Sequence, residues 1–334
     1  MKNGNKKRES SNVFKGSRAI LDFLNPDNNL PTPLVELPGR LNPFAKNKVR
    51  IFAKLMYLLP LLNLKSLTAL NMLFEAKKAG ELKGVDTIVE HSSGNTAFSL
   101  AAIAPLFGIN NVKAIVPKDI APGKLELLRL FGAELVFNEE LPGKPSGIEK
   151  ARRMGKKKNH FNPAQYENKA NGSAHEKWTT HQIWNQLGSD LTIFCAALGT
   201  SGTVVGASNY FRKKSKNIAI VGTLCAPKHA VPGVRNEKRL KEIKLDWNKA
   251  IDYKIEAETR ESFKNSLELC RAGIMAGPSS GLALAGLLKF LKNNSADFDK
   301  FRNSKGEVVA TFICADTPLP YLDKYSTHLD PGDF

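Results

Sequence analysis

Short apolar runs alternate with segments of helical period along most of this chain. Val49–Met56, Thr87–His91, Val112–Val116, Glu134–Phe137, Leu191–Leu198, Ile218–Leu224 and Val308–Ile313 read as strands. Between them, Leu64–Ala79, Asn95–Phe107, Pro122–Phe131, Ser173–Leu187, Thr203–Lys214, Arg260–Arg271 and Gly281–Leu291 read as helices. Leu191–Leu198 and similar runs are apolar almost throughout rather than alternating. Such strands need cover on both faces, which a parallel sheet flanked by helices provides. Strand then helix, repeated, predicts a doubly wound α/β architecture.

One hydrophobic core rarely grows past roughly 250–300 residues, so 334 residues predict two domains. The stretch from Asn138 to Asn168 is rich in Pro, Gly, Asn and Lys and predicts a crossing between two α/β units. The expected division is an N-terminal segment, 1–42, packing on the larger domain, then a smaller α/β domain, 43–161, and the larger one, 162–334. Ala226 to Tyr253 is polar and reads as a surface excursion. No internal repeat is visible.

Composition adds little to this picture. A hydrophobic fraction of 42% and a charged fraction of 24% are ordinary for a soluble globular protein. No apolar run approaches the ~20 residues of a membrane span. Met1 to Arg18 is polar and Lys-rich without the apolar stretch of a signal peptide, so a cytoplasmic setting is expected. Cys195, Cys225, Cys270 and Cys314 stand singly, which argues against a disulfide framework or a zinc site. The net charge of +17 could mark a nucleic-acid binder. The basic residues are dispersed, however, in groups such as Lys6-Lys7-Arg8, Lys156-Lys157-Lys158 and Arg212-Lys213-Lys214. A solvated basic surface that draws anionic substrates is the simpler reading.

Ligands of open α/β sheets gather at the carboxyl ends of strands, and three loops there carry chemistry. Gly199-Thr200-Ser201-Gly202-Thr203 follows a buried strand and opens a helix. Its glycines permit close backbone approach, and a helix N-terminus points free N–H groups at an anion. This has the form of a phosphate cradle without the Walker or dinucleotide spacing. Ser92-Ser93-Gly94-Asn95-Thr96 offers hydroxyls and an amide suited to a carboxylate or phenolate oxygen, although such residues also cap helices. Lys65 lies among leucines in Leu61-Leu62-Asn63-Leu64-Lys65-Ser66-Leu67. Burial should lower its amine pKa toward the neutral form that imine formation needs, unless it snorkels to the surface. Cradle, oxygen-binding loop and desolvated lysine together match the phosphate, ring oxygen and aldehyde of pyridoxal 5′-phosphate.

From about Pro31 to Tyr321 the chain also resembles the β-family (fold type II) of pyridoxal-phosphate enzymes, near cysteine synthase and cystathionine β-synthase. The resemblance rests on Thr32-Pro33-Leu34-Val35-Glu36-Leu37, Ala53-Lys54-Leu55, the Ser92–Thr96 loop and Phe131-Gly132-Ala133-Glu134-Leu135. It continues in Gln165-Tyr166-Glu167-Asn168, the Gly199–Thr203 loop, Gly277-Pro278-Ser279-Ser280-Gly281, and Asp316-Thr317 with Tyr321-Leu322. It implies two three-layer α/β/α domains with the cofactor in the cleft between them, and a homodimer. Lys65 would form the Schiff base and then shuttle the α-proton. Asn95 would bond the ring oxygen, and Gly199, Thr200, Ser201, Gly202 and Thr203 would hold the phosphate. Thr317 would face the pyridine nitrogen. Ser93, Gly94, Thr96 and Gln165 would bind the substrate carboxylate.

The activity so implied is β-replacement on L-serine or an O-activated L-serine, with sulfide or a thiol as acceptor. The rivals are β-elimination, as in serine or threonine dehydratases, and a degenerate cofactor-binding regulatory protein. The last is suggested by a departure: relatives read Asn-Pro-x-x-Ser-x-Lys-Asp-Arg where this chain reads Leu59-Pro60-Leu61-Leu62-Asn63-Leu64-Lys65-Ser66-Leu67. Pro318 also replaces a usual glycine. Elsewhere, His91 reads as a packed strand-end residue, His160, His175 and His181 as surface residues, and Ser279 and Ser280 as helix caps on the cofactor side. Arg235, in Pro232-Gly233-Val234-Arg235, is a candidate for meeting an anionic substrate. No metal is expected.

Overall fold

The computed structural model describes residues 12–139 and 145–334. Met1 to Ser11, with the Lys6-Lys7-Arg8 group, lie outside the described residues. Ten strands form two sheets: β1 (Leu34–Glu36), β2 (Val49–Leu55), β3 (Thr87–His91), β4 (Asn111–Pro117), β5 (Glu134–Asn138), β6 (His160–Phe161), β7 (Ile193–Ala197), β8 (Ala219–Cys225), β9 (Tyr253–Ala257) and β10 (Val308–Cys314). One sheet has the order β1-β2-β10-β7-β8-β9 and the other β5-β4-β3-β6. Every pairing is parallel except β1 with β2. Every residue of β3, β8 and β10 is buried, as helices packed on both faces require. The chain therefore has the expected doubly wound α/β fold.

Strand β2 corrects one expectation. The division at Pro43 assigned it to the smaller unit, yet it pairs in parallel register with β10 from Val49↔Val308 to Leu55↔Cys314 and sits inside the six-stranded sheet. Its residues are buried at five of seven positions, and only a neighbour strand on each side satisfies the backbone of so apolar a segment. The strands of the smaller sheet fall between Thr87 and Phe161. The expected crossing after Asn138 is not all linker. The helix Gly147–Gly155 stands in it and buries Ala151 against Val89 and Ile115 of β3 and β4.

Each functional loop leaves the carboxyl end of a strand and enters a helix. β2 leads to Lys65–Lys78, β3 to Asn95–Ile103, β4 to Pro122–Leu130 and β7 to Gly202–Lys214. β10 ends at Ala315-Asp316-Thr317, where Asp316 makes an isolated bridge to Asn63 in the lysine loop. The two sheets thus present their carboxyl ends to one shared cleft.

Candidate active site

The cleft has a volume of about 240 Å³ and is partly open to solvent. Lys65 enters it as the first residue of its helix, half-buried, with its Nζ donating to Thr200 Oγ1 at 3.0 Å. Removal from water pulls its amine down to about 8, in the direction expected for a lysine that loses hydration without gaining a carboxylate. Among the described residues no salt bridge reaches it. The snorkelling alternative is therefore excluded.

Gly199 and Thr200 line the cleft, and Ser201, Gly202 and Thr203 sit just behind them, buried. Two glycines here are forced by space. A Cβ on Gly199 would lie 2.4 Å from the Gly233 carbonyl oxygen, and one on Gly202 would lie 2.1 Å from Asn171 Oδ1. Ser201 takes the left-handed backbone at φ 65° and turns the chain into the helix. Its buried hydroxyl has no hydrogen-bond partner. Such an orphan is costly. A helix N-terminus with its own free N–H groups beside it makes an anion the natural partner. The residues present therefore fit a bound phosphate.

Support for this cradle comes from residues that motif reading passed over. Asn171 Nδ2 donates to Thr200 Oγ1 at 2.8 Å and to the Gln165 carbonyl at 2.7 Å. His175 corrects the surface reading: it is fully buried, with Nε2 3.4 Å from both Thr68 Oγ1 and Thr203 Oγ1. Burial first, and the Lys65 charge second, lower its ring to about 3, so it is a neutral prop. His175 opens the π-helical segment His175–Thr180 and lies on the same buried face as Asn171, Ala174, Trp178 and Thr179. His160 is half-buried and His181 exposed.

Across the cleft, Ser93, Gly94, Asn95, Thr96 and Gln165 all line the wall. Thr96 Oγ1 donates to Gln165 Oε1 at 2.7 Å, and Gln165 Nε2 donates to the His91 carbonyl at 3.0 Å. Helix capping falls to Ser92, whose Oγ accepts from the Gly94 and Ala97 N–H groups, and among the described residues Ser93 has no hydrogen-bond partner. Beneath them Glu90 accepts from the Gln165 and His91 N–H groups, and burial pushes its carboxyl up to about 8. His91 is packed as expected, with Nδ1 3.2 Å from the Ile115 carbonyl, and also touches the cleft.

The remaining wall is cationic. Arg235, Arg239 and Lys124 line it, with Tyr166 and Tyr321, and among the described residues no carboxylate does. Arg235 lies 4.7 Å over the Tyr166 ring and donates to Glu242 Oε2 at 2.7 Å. Thr317 is buried but is not among the residues lining the cleft; its backbone packs against Gly277. Ser280 Oγ accepts from the Ala315 N–H at 3.1 Å and caps no helix by its side chain. Burial raises the Cys195 thiol to about 12 and the Cys225 thiol to about 11, so neither is a nucleophile. Among the described residues no cluster suited to a metal ion occurs.

Residues 26–301 match the family described as "Pyridoxal-phosphate dependent enzyme". The chain belongs to that family. It is 33% identical to cysteine synthase B of Escherichia coli (strain K12) over 264 residues, 79% of this chain and 86% of that one. Against cysteine synthase B of Salmonella typhimurium the identity is 31%, over 85% of this chain and 89% of the other. A solved cysteine synthase from Entamoeba histolytica superposes with a TM-score of 0.77 at 26% identity, covering 99% of this chain and 95% of that one. The structure of an O-ureido-L-serine synthase, 24% identical, shares the fold with a TM-score of 0.79 over 94% of this chain and 96% of its own. As a pyridoxal-phosphate dependent enzyme, the protein acts at the β-carbon of an amino acid and takes pyridoxal 5′-phosphate as its cofactor. No helix among the described residues is long and apolar enough to cross a membrane.

Proposed function

We propose that the enzyme catalyses β-replacement on L-serine or an O-activated L-serine, with sulfide or a thiol as the incoming group. The observation that carries this reading is the Lys65 amine, 3.0 Å from a cradle hydroxyl and opposite the Ser93–Thr96 wall. An amine near 8 has roughly three-hundredfold more neutral form at pH 7 than an ordinary lysine. That form can bond to an aldehyde and later accept the α-proton. When bound, the cofactor supplies the electron sink that lets the α-proton leave.

In this reading Gly199, Thr200, Ser201, Gly202 and Thr203 hold the phosphate, with Asn171 and His175 keeping Thr200 and Thr203 in place. Asn95 donates to the ring oxygen. Ser93, Gly94, Thr96 and Gln165 take the substrate carboxylate, for which Ser93 has a hydroxyl to spare. Thr317 was expected at the pyridine nitrogen; its place behind the cleft wall makes it the least supported assignment. A carboxylate-free wall carrying Arg235, Arg239 and Lys124 suits an anionic substrate. The homodimer belongs to the same proposal and is checked by analytical ultracentrifugation.

The test feeds the loaded enzyme L-serine and O-acetyl-L-serine, with and without sulfide. Cysteine formed only with sulfide is the expected result. Pyruvate formed at the same rate in both conditions overturns replacement in favour of elimination. Cofactor binding without α-proton exchange in deuterated water overturns both.

A further inference from the structure

Asp316 is a buried carboxylate whose motif, Asp316-Thr317, assigns it no role. It is 4% exposed, and among the described residues no salt bridge reaches it. Its Oδ2 accepts from Asn95 Nδ2 at 2.6 Å and from the Tyr321 hydroxyl at 2.7 Å. Its Oδ1 has no partner and packs against Gly277, where an added Cβ would lie 2.5 Å away. Burying an acid this way is expensive, and Tyr321 alone could be satisfied by a neutral acceptor. The bond to Asn95 spans the cleft, because Asp316 follows β10 of the large sheet and Asn95 opens the helix after β3 of the small one.

We propose that Asp316 is a positioning residue that fixes which end of the Asn95 amide faces the cofactor's ring oxygen. The proposal rests on the reading of Asn95 as the partner of that oxygen. A side-chain amide has a donor end and an acceptor end, nearly equal in shape. Burial raises the Asp316 carboxyl, but its Oδ2 accepts from Tyr321 as well as Asn95, so it captures the N–H end of Asn95 and leaves the second N–H of the same nitrogen for the cleft. The ring oxygen is anionic. A donor there makes a charge-assisted bond, whereas the flipped amide would set carbonyl lone pairs against the anion. Lys124, whose amine lies 5.3 Å over the Tyr321 ring, adds a positive charge on the same side.

The experiment is a double-mutant cycle on the full chain with pyridoxal 5′-phosphate, reading cofactor affinity and the pH midpoint of the bound cofactor's visible band. D316A should weaken affinity about tenfold and move the midpoint by about one pH unit. D316N should fall between D316A and the wild type, because its amide can present either end to Asn95 and no longer enforces one orientation. In an N95A background, D316A should add less than about twofold. An undiminished D316A effect in that background overturns the proposal, since Asp316 would then act on packing alone. So does D316A behaving as wild type while N95A does not. N95A leaving both readings unchanged would instead remove the role of Asn95, and the proposal with it. D316S, too short to reach Asn95, gives the same reading if D316A yields no folded protein.

Discussion

Lys54 and Lys65 are the same residue at the two ends of one loop, and the structure gives them opposite fates. Both lose affinity for a proton because burial strips their water, Lys54 to about 7 and Lys65 to about 8. Lys54 is 0% exposed in β2. Its Nζ donates to the Thr32 carbonyl at 2.6 Å, Gln186 Oε1 at 2.8 Å and Gln182 Oε1 at 3.2 Å. Three neutral oxygens exhaust its donors and tie the N-terminal segment to the sheet and to the helix His181–Leu187. Among the described residues Lys65 has a single hydroxyl partner, and it opens on the cleft. A depressed amine therefore marks burial, while spare hydrogen-bonding capacity and access mark chemistry.

The largest test of that contrast is removal of each amine in turn. K65A should abolish the visible cofactor band and lower turnover by about 10³-fold, whereas K54M should keep the band. Borohydride reduction and peptide mapping should label Lys65 and leave Lys54 unmodified; labelled Lys54 would break the comparison.

A smaller effect concerns stability. The Lys54 amine holds its proton up to about 7 when folded against 10.5 as a free side chain. Between those values the unfolded chain binds more protons, so stability rises with pH, by at most about 1.4 kcal/mol per pH unit for one group. Urea titrations across this window should show a shallower rise for K54M; an unchanged slope would mean that the native amine keeps its proton.

Two finer predictions concern the cradle. T200V removes the acceptor of Lys65 and should weaken cofactor retention by about 1 kcal/mol, read by equilibrium dialysis. S201A removes a costly buried hydroxyl that has no partner, so stability measured without added cofactor should rise, by about 1 kcal/mol, while affinity for the cofactor falls.

Strands buried on both faces were legible in the chain because their hydrophobicity is continuous. β7, β8 and β10 fall within about two residues of the expected bounds. The missed strands lie at sheet edges or are very short. β9 keeps only Ala257 buried, and β1 has three residues, none buried, so neither carries an apolar run. The helix Gly147–Gly155 was hidden because its sequence is mostly Lys, Arg, Glu and Gly around one buried alanine. His175 was misread because a polar ring gives no sign of burial by itself, although it lies on the buried face with Asn171, Ala174, Trp178 and Thr179 at helical spacing.

The loops of the candidate site were readable as kinds of chemistry: glycines with hydroxyls before a helix, an amide-bearing loop, a lysine among leucines. Local backbone rules write such signals into neighbouring residues, and the chain alone carried them, with the α/β alternation and the family. Which sheet β2 joins, which lysine opens on the cleft, and the crossing of Asp316 to Asn95 depend on partners distant in sequence. Those contacts have no period or motif, because close packing and the pairing of buried polar groups arise only once the two sheets have brought their strand ends together.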